Sequence, residues 1–292
     1  MLIDCHAHIA PKLTGFWEPL RYGRAIREGE ARQLFPPSFD PAASPPGVLL
    51  AYMDMVGVDR TLIVQHNVYG DHNDTVLEMV KQWPDRFTGF AFLGRMDQAD
   101  APDLLERLIE AGMAGLKIEL GTTRGLRADF RFDGEREWRI FERLNQLGRP
   151  LVLDVNDAGE EDVVALRKVS EAFASMPMVI CHVGGAPTPG WEERAMLAKR
   201  SNGWLDLTNL FWGFSPDEEE YPFPRAQELI RWAVERFGAD RTMLGSDYPI
   251  TLTRATYQQI FDYVRRHCPF LSPEQKSNIV GGTAERFLKS WS

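Results

Sequence analysis

The chain has 292 residues, of which 44% are hydrophobic and 26% charged, so a large packed core is available and extended disorder is excluded. The formal net charge of -9 excludes nonspecific binding to nucleic acid or acidic membranes, and no run of about 18 apolar residues predicts a membrane span. The three cysteines stand far apart and the first residues form no basic signal region, so we expect a reduced, cytoplasmic protein.

Eight short apolar runs predict β-strands, and amphipathic segments predict helices between most of them. One such helix, "PDLLERLIEAG", repeats leucine and isoleucine at helical spacing and ends at a glycine. Eight alternations of strand and helix predict a single α/β domain over residues 1–292, a (β/α)8 TIM barrel. The predicted strands are Leu2–Cys5, Thr61–Gln65, Phe87–Leu93, Ala114–Glu119, Pro150–Asp154, Met178–Cys181, Gly203–Thr208 and Thr242–Gly245.

A doubly wound open sheet is the alternative fold. Its first strand would normally be followed by a glycine-rich phosphate loop, and this chain has His6 and His8 there instead. The barrel is therefore the favoured prediction.

Residues 11–47 interrupt the alternation of strands and helices. They are rich in proline, arginine and aromatic residues, and they are too many for a plain strand-to-helix connection. In a barrel this segment would lie at the C-terminal mouth, where barrel enzymes have their active sites. We expect a long loop that covers the barrel mouth and the substrate; the alternative is a flap that only packs against the barrel.

Ionisable side chains stand at or just after the ends of most predicted strands. Because the carboxyl ends of all eight strands meet at one rim, we expect these side chains to form a site there. In strand order they are His6 and His8, His66, Arg95, Lys117 and Glu119, Asp154, His182 and Asp247.

The opening motif "IDCHAHIA" places Asp4, His6 and His8 at alternate positions. Side chains alternate across a strand, so His6 and His8 project to the same side. Two imidazoles at this spacing can bind one divalent metal, which an aspartate from across the barrel would complete. Such a metal activates water or polarises a substrate oxygen. The alternative is a pair of structural histidines at the rim.

The motifs "IDCHAHIA", "ICHVGGAP" and "LGSDYP", in this order, resemble the amidohydrolase superfamily. They are most similar to its amidohydrolase-2 group, which contains aromatic-acid decarboxylases, aminocarboxymuconate-semialdehyde decarboxylase, and sugar-lactone and pyrone-dicarboxylate lactonases. The resemblance implies that His6, His8 and Asp247 bind a divalent metal, zinc or manganese, and that His182 and Asp247 are catalytic. It also implies a homodimer. The segment "VQHNVYGDHND", which contains His66 and Tyr69, is similar to a turn of the lactonase branch.

The chain departs from the family pattern at strand five, where metal-binding members usually have a histidine. Here Asp154 takes that position, and Asn156 follows on the same face. Three alternatives stay open: Asp154 is a further metal ligand, three residues bind the metal weakly, or no metal is used. In the last case Asp247 would be the general base, and the histidines would donate hydrogen bonds to the substrate carbonyl.

The remaining polar residues of the predicted rim suit a small anionic substrate, since arginine binds carboxylates with two parallel hydrogen bonds. Lys117 is expected to pair with an aspartate or with a substrate carboxylate rather than to be carboxylated. We predict substrate contacts from His66, Tyr69, Arg95, Lys117, Glu119, Arg124 and Asn156.

The predicted function is hydrolysis of a lactone, or of a similar carbonyl compound that carries a carboxylate, by water that Asp247 activates. One alternative is a metal-dependent nonoxidative decarboxylase, for which the missing strand-five histidine is unfavourable. The other is a barrel without catalytic activity that serves only for binding.

Overall fold

The computed structural model describes residues 1–121, 123 and 129–291, and the strands within them are numbered β1 to β11 along the chain. Eight of these strands form one barrel, and each overlaps one of the eight predicted strands. They are β1 (Ile3–Ala7), β5 (Arg60–Ile63), β6 (Phe87–Gly89), β7 (Leu116–Glu119), β8 (Leu151–Asp154), β9 (Met178–Ile180), β10 (Gly203–Asp206) and β11 (Thr242–Met243).

The barrel strands pair in parallel and in chain order, as two ladders that join into a closed ring. One ladder contains β1, β5 and β6, and the other runs from β7 to β11. A parallel bridge between Ala91 and Leu116 joins β6 to β7. On the other side, the backbone N–H of Cys5 donates to Leu244 O at 3.1 Å, and that of His8 donates to Tyr248 O at 2.8 Å. The (β/α)8 prediction is confirmed.

Helices connect the barrel strands and pack on their outer faces. In α3 (Ala101–Glu110) the apolar residues Leu105 and Leu108 are buried, as their spacing predicts. At the start of α8 (Tyr257–His267) the Thr256 hydroxyl accepts a hydrogen bond from Gln259 N–H, which caps the helix. The helices are α1 (Pro46–Val56), α2 (Asn73–Gln82), α3 (Ala101–Glu110), α4 (Glu135–Gln146), α5 (Glu160–Ala172), α6 (Trp191–Ala195), α7 (Pro224–Phe237), α8 (Tyr257–His267), α9 (Pro273–Ser277) and α10 (Thr283–Lys289). Among the described residues, no helix combines the length and the apolarity that crossing a membrane requires.

Two apolar clusters separate the inside of the barrel from its outside. The inner cluster takes side chains from six barrel strands, including Ile3 and Cys5 of β1, from Phe90 and Ala114 beside the other two, and from Phe287 of α10. The larger outer cluster lies between the strands and the helices. The interior is thus filled up to the carboxyl ends of the strands, which leaves the rim for polar groups.

Strand β1 contains a register shift relative to β5 between Asp4 and Ala7. Asp4 faces outward, where its carboxylate accepts hydrogen bonds from Tyr257 Oη at 2.8 Å and from Ser246 Oγ at 2.6 Å. After the shift, His6 and His8 turn toward the interior rim. Asp4 therefore does not share their side, although simple alternation of the sequence would place it there.

Residues 11–47 contain a small antiparallel sheet rather than a loop without strands. It consists of β2 (Glu18–Pro19), β3 (Arg24–Arg27) and β4 (Glu30–Gln33). Phe35, which follows β4, packs against Tyr69 with ring centroids 5.6 Å apart, so the segment is anchored at the barrel rim.

Candidate active site

A cavity of about 540 Å³ opens at the carboxyl end of the barrel strands. Its floor is formed by side chains at or just after the ends of six of these strands, and β3 and β4 contribute to its outer wall. Among the residues that line it are His8, His66, Tyr69, Asp154, Asn156, His182, Asn209 and Asp247 from the barrel, and Trp17, Arg27, Arg32 and Trp212 near the mouth.

Three side chains converge at one point of the floor. The carboxylate Oδ1 of Asp247 lies 2.9 Å from His8 Nε2 and 3.8 Å from His6 Nε2. These three atoms lie within 4.8 Å of one another, and all three residues are buried. The strand-one histidines and the strand-eight aspartate thus meet as the barrel geometry predicts.

The Nδ1 atoms of His6 and His8 are both used as hydrogen-bond donors. His6 Nδ1–H donates to the carboxylate of Asp206 at 2.6 Å, and His8 Nδ1–H donates to the Val64 carbonyl at 2.5 Å. In the neutral ring each Nε2 then carries a lone pair that faces Asp247. His6 Nε2 is buried and has no hydrogen-bond partner among the described residues.

This donor set fits a divalent metal. Metal-binding histidines usually donate their second N–H to a carboxylate or backbone carbonyl, as His6 and His8 do here. Burial lowers the pKa of His6 to about 4, so its ring is neutral at pH 7, as metal binding requires. Burial alone would raise the pKa of Asp247, but the adjacent histidines hold that pKa well below its usual range. Two nitrogen donors and one carboxylate suit zinc or a similar ion.

Three side chains that line the cavity stand on strained turns at the ends of β9, β10 and β11. His182, Asn209 and Asp247 have left-handed backbone conformations with φ of 55°, 62° and 53°, and Val183 has φ of 52°. A β-branched residue rarely adopts this conformation. Such strain costs on the order of 1–3 kcal/mol per residue and is typical of functional sites.

His182 forms a second polar pair, with Asp154. Its Nε2 lies 3.4 Å from Asp154 Oδ2, and its Nδ1–H donates to the Thr208 carbonyl at 3.1 Å. Because both ring nitrogens face acceptors, the protonated ring is favoured. Burial opposes this charge, but Asp154, Asp247 and Asp206 raise the pKa of His182 to about 9. Burial likewise disfavours ionised Asp154, yet His182 and Lys117 lower the pKa of that carboxyl far below its usual range.

Asp154 does not belong to the group formed by His6, His8 and Asp247. It belongs to another group of three possible ligands, with His66 and Glu119, in which His66 Nε2 lies 3.9 Å from Glu119 Oε2. The backbone N–H of Val68 donates to His66 Nδ1 at 3.1 Å, so the neutral ring carries its proton on Nε2. A protonated Nε2 can donate to the carboxylates of Asp154 and Glu119, but it has no lone pair for a metal. This group is therefore the weaker metal candidate.

A third group joins His6 and Asp206 with the Cys181 thiol. Burial raises the pKa of Cys181 well above its usual value, so the thiol stays protonated and is a poor ligand. The point between His6, His8 and Asp247 remains the best metal candidate among the described residues.

The other residues that we predicted to contact substrate fall into different places. Tyr69 and Asn156 line the cavity, and Glu119 lies beside His66. Lys117 is buried inside the barrel below the rim, where its Nζ donates to Cys181 Sγ at 3.3 Å. Arg95 lies away from the cavity, with a side chain that is 70% exposed and paired with Asp97. β6 ends at Gly89, so Arg95 is well past the strand end. Arg124 falls outside the described residues.

The structure also brings to the site residues that were not among the predicted metal ligands or substrate contacts, although Asn209 directly follows the predicted seventh strand. Asp206 orients His6, and Asn209 Nδ2–H donates to Asp247 Oδ2 at 2.6 Å. Arg27 and Arg32 line the outer wall. The sequence feature that could have identified Asp206 is a carboxylate inside the otherwise apolar run "GWLDL". A buried charge at such a position requires a buried partner.

Fold and site together define a TIM barrel with a candidate divalent-metal centre at its carboxyl rim. A family model described as Amidohydrolase matches residues 3–289, and the chain belongs to this family. The resemblance seen in the sequence motifs is confirmed.

Individual relatives are distant. The chain is 26% identical over 144 residues to an L-fucono-1,5-lactonase of Burkholderia multivorans, an alignment that spans 49% of this chain and 41% of that protein. It is 24% identical over 221 residues to a 4-sulfomuconolactone hydrolase of Rhizobium radiobacter, across 72% of this chain and 68% of the relative. Among solved structures, an amidohydrolase from Burkholderia multivorans with bound zinc has a TM-score of 0.70 at 20% identity, and 99% of each chain is covered. The last match establishes the fold.

Proposed function

We propose that this protein is a hydrolase that opens a lactone, or a similar carbonyl compound, that carries a carboxylate. The observation that carries the proposal is the meeting of Asp247 and His182 in one cavity, beside His8 and the unpartnered Nε2 of His6. The lowered pKa of Asp247 and the raised pKa of His182 keep the first ionised and the second protonated at pH 7, which are the forms of a base and of an acid. Two sequence relatives are named for action on lactones, which supports this substrate class.

Asp247 has the position of the general base. Asn209 donates to its Oδ2, which holds the carboxylate in one orientation toward the cavity, and its Oδ1 lies 2.9 Å from His8 Nε2. We propose that it orients the attacking water and accepts its proton. A fixed carboxylate loses no orientational freedom when the water attacks.

His182 has the position of the acid. Its 3.4 Å distance to Asp154 is long for a hydrogen bond, so a substrate oxygen can compete for the Nε2 proton. We propose that His182 donates this hydrogen bond to the carbonyl oxygen and protonates the ring oxygen that leaves. Asp154 keeps His182 charged and oriented between turnovers.

We also propose a divalent metal, zinc or manganese, held by His6, His8 and Asp247. When bound, such an ion lowers the pKa of a water molecule and polarises a carbonyl group. The prediction that Asp154 is a further ligand receives less support, because its carboxylate groups with His66 and Glu119 and pairs with His182.

The proposal is tested by incubating the metal-loaded protein with a panel of lactones and of aromatic carboxylic acids. We expect proton release from lactones and no release of carbon dioxide from the acids. Asp247→Asn should abolish proton release, while Asp240→Asn, at an exposed position, should leave it unchanged. Carbon dioxide release without lactone opening would refute the hydrolase and favour the decarboxylase alternative.

Further expectations rest on composition and on the family resemblance. We propose a single domain over residues 1–292, in which residues 11–47 cover the substrate, and a small anionic substrate as the only ligand besides the metal. We also propose a cytoplasmic homodimer that binds neither nucleic acid nor membranes.

A further inference from the structure

Two arginines of the β2–β4 sheet share the face that lines the cavity. In the antiparallel pairing of β3 with β4, Arg27 stands opposite Glu30, and Arg32 stands opposite Ala25. Ala25 and Arg27 are two positions apart on one strand, so Arg27 and Arg32 are diagonal neighbours on the same face. Diagonal residues lie about 7–8 Å apart, within reach of long side chains. Both guanidinium groups can therefore approach one anionic group.

Charge is unevenly distributed along this cavity. The floor of the cavity holds the carboxylates of Asp154 and Asp247. Among the described residues that line the cavity, the basic side chains other than histidine are Arg27 and Arg32. Their present partners are Glu28, 3.5 Å from Arg27, and Glu30, 2.8 Å from Arg32. Those glutamates are 76% and 71% exposed. Exposed ion pairs contribute little, about 0–1 kcal/mol, so a substrate anion can replace either glutamate.

We propose that Arg27 and Arg32 form the subsite that binds the carboxylate of the substrate. This inference rests on the proposed function and adds the orientation of the substrate. The carboxylate lies at the β3–β4 end of the cavity, away from the repulsion of Asp247, and the reacting carbonyl lies at His182. The Trp17 ring, 5.7 Å from Arg27 Cζ, holds that guanidinium over the cavity.

The test compares a lactone that carries a free carboxylate with its methyl ester. We expect Arg27→Ala and Arg32→Ala each to raise KM for the carboxylate about tenfold or more, with kcat within about threefold and the ester unaffected. The control is Arg24→Ala, because Arg24 is three positions from Arg27 and so lies on the other face of the same strand. Equal effects on both substrates, or no effect on either, would overturn the subsite.

A calorimetric titration with a five-carbon dicarboxylate separates failure of the subsite from failure of the proposed function. One outcome is that the wild-type protein binds the dicarboxylate, that Arg27→Ala loses this binding, and that neither protein opens a lactone. In that case the subsite stands and the hydrolase proposal fails. If the variants hydrolyse the carboxylated lactone like the wild-type protein, the hydrolase stands and the subsite fails.

A second inference concerns the turn that carries His182. Residues 182–185 all have positive φ, between 52° and 83°, and two of the four are not glycine. At Gly184 a Cβ atom would lie 2.5 Å from Ala195 N, so the backbone of α6 packs directly on the turn. Because the strain of this turn must be offset by the structure around it, its anchor determines where His182 lies.

Arg194 is that anchor. Its side chain is buried, and its guanidinium Nε donates to Gly184 O at 2.6 Å. The two Nη atoms donate to Thr188 Oγ1 at 2.6 Å, to Pro189 O at 2.8 Å and to Ala158 O at 3.2 Å. No carboxylate among the described residues forms an ion pair with it. A buried arginine without a counterion is costly, so these four bonds, which join the β8 and β9 loops, are what stabilises it.

We infer that Arg194 is a positioning residue for His182 in the proposed hydrolysis. Arg194→Ala should lower kcat about 10- to 100-fold with little change in KM, and guanidinium ion at millimolar concentration should restore part of kcat. The matched control is Arg200→Ala, because Arg200 also donates to backbone carbonyls, Phe173 O and Met176 O, but neither carbonyl belongs to the turn that carries His182. A kcat that falls equally in both variants, or that guanidinium does not restore, would make Arg194 merely structural.

A nuclear magnetic resonance measurement tests Arg194 without relying on activity. The His182 Nδ1–H proton is held by the Thr208 carbonyl, so its exchange with solvent should be slow in the wild-type protein and in Arg200→Ala. In Arg194→Ala, or in the milder Arg194→Lys if the first variant does not fold, exchange should be at least tenfold faster. Unchanged exchange in a folded Arg194 variant contradicts the inference.

Discussion

The carboxylate of Asp206 should control metal affinity without touching the metal. Its Oδ2 accepts the His6 Nδ1–H at 2.6 Å, and its Oδ1 accepts the Thr208 backbone N–H at 2.6 Å. In Asp206→Asn one of these two acceptors becomes an NH2 group. If the NH2 group faced Thr208 N–H, two donors would meet, so the NH2 group turns to His6 instead. There it donates to Nδ1, and the imidazole proton then lies on Nε2. His6 then presents a donor where the metal requires a lone pair.

The expected loss follows from the strength of such interactions. Removing the hydrogen-bond partner of a metal-binding histidine typically costs about 10- to 100-fold in metal affinity, or roughly 1.4–2.7 kcal/mol. We expect the upper part of this range, because the tautomer must also change. Zinc affinity is measured by competition with a chromophoric chelator, and the melting temperature of the chelator-treated protein shows whether Asp206→Asn still folds.

The matched control is Asp154→Asn. Asp154 is also a buried aspartate beside a histidine, but its partner is His182 and not a member of the metal group. It should therefore retain zinc affinity within about threefold. If Asp154→Asn loses the metal and Asp206→Asn keeps it, then Asp154 is the ligand and our placement of the metal is wrong.

Three further predictions concern activity. Asp247→Asn should lower kcat by about 10²–10⁴-fold, the usual contribution of a general base, and full activity in this variant would refute the mechanism. Chelator treatment should abolish lactone opening and added zinc or manganese should restore it, whereas unchanged activity in metal-free protein would favour the metal-independent alternative. The raised pKa of His182 implies that kcat/KM falls as pH rises through about 9, because His182 then loses the proton that it donates. Asp154→Asn should move this fall to lower pH. The same pH profile in both proteins would show that the pair of Asp154 and His182 does not control the acid.

The same pKa gives a stability prediction for the metal-free protein. The His182 pKa is about 9 in the folded chain and about 6.5 in an unfolded one, so protonation favours the folded state. This contribution is complete below pH 6.5 and is lost as pH rises through 9. The melting temperature of metal-free wild-type protein should therefore fall over this range more steeply than that of Asp154→Asn, and parallel curves would contradict the pairing.

The sequence by itself determined the barrel and the main polar residues of the cavity at its rim. Barrel strands are buried on both faces, so each is a short apolar run that can be located without knowing its neighbours. The carboxyl ends of parallel strands share one rim, so polar residues at those ends, such as His8, His182 and Asp247, meet whatever the details of packing.

Only the tertiary structure decided how these residues pair. Asp206 reaches His6 across 200 positions, Asp154 joins His182 rather than the metal group, and Arg95 turns to the surface because β6 is short. The register shift in β1 separates Asp4 from the histidines that alternation would group with it. The physical reason is that strand periodicity specifies which side a residue faces, whereas the distance between side chains across the rim depends on strand length, register and the turns that follow.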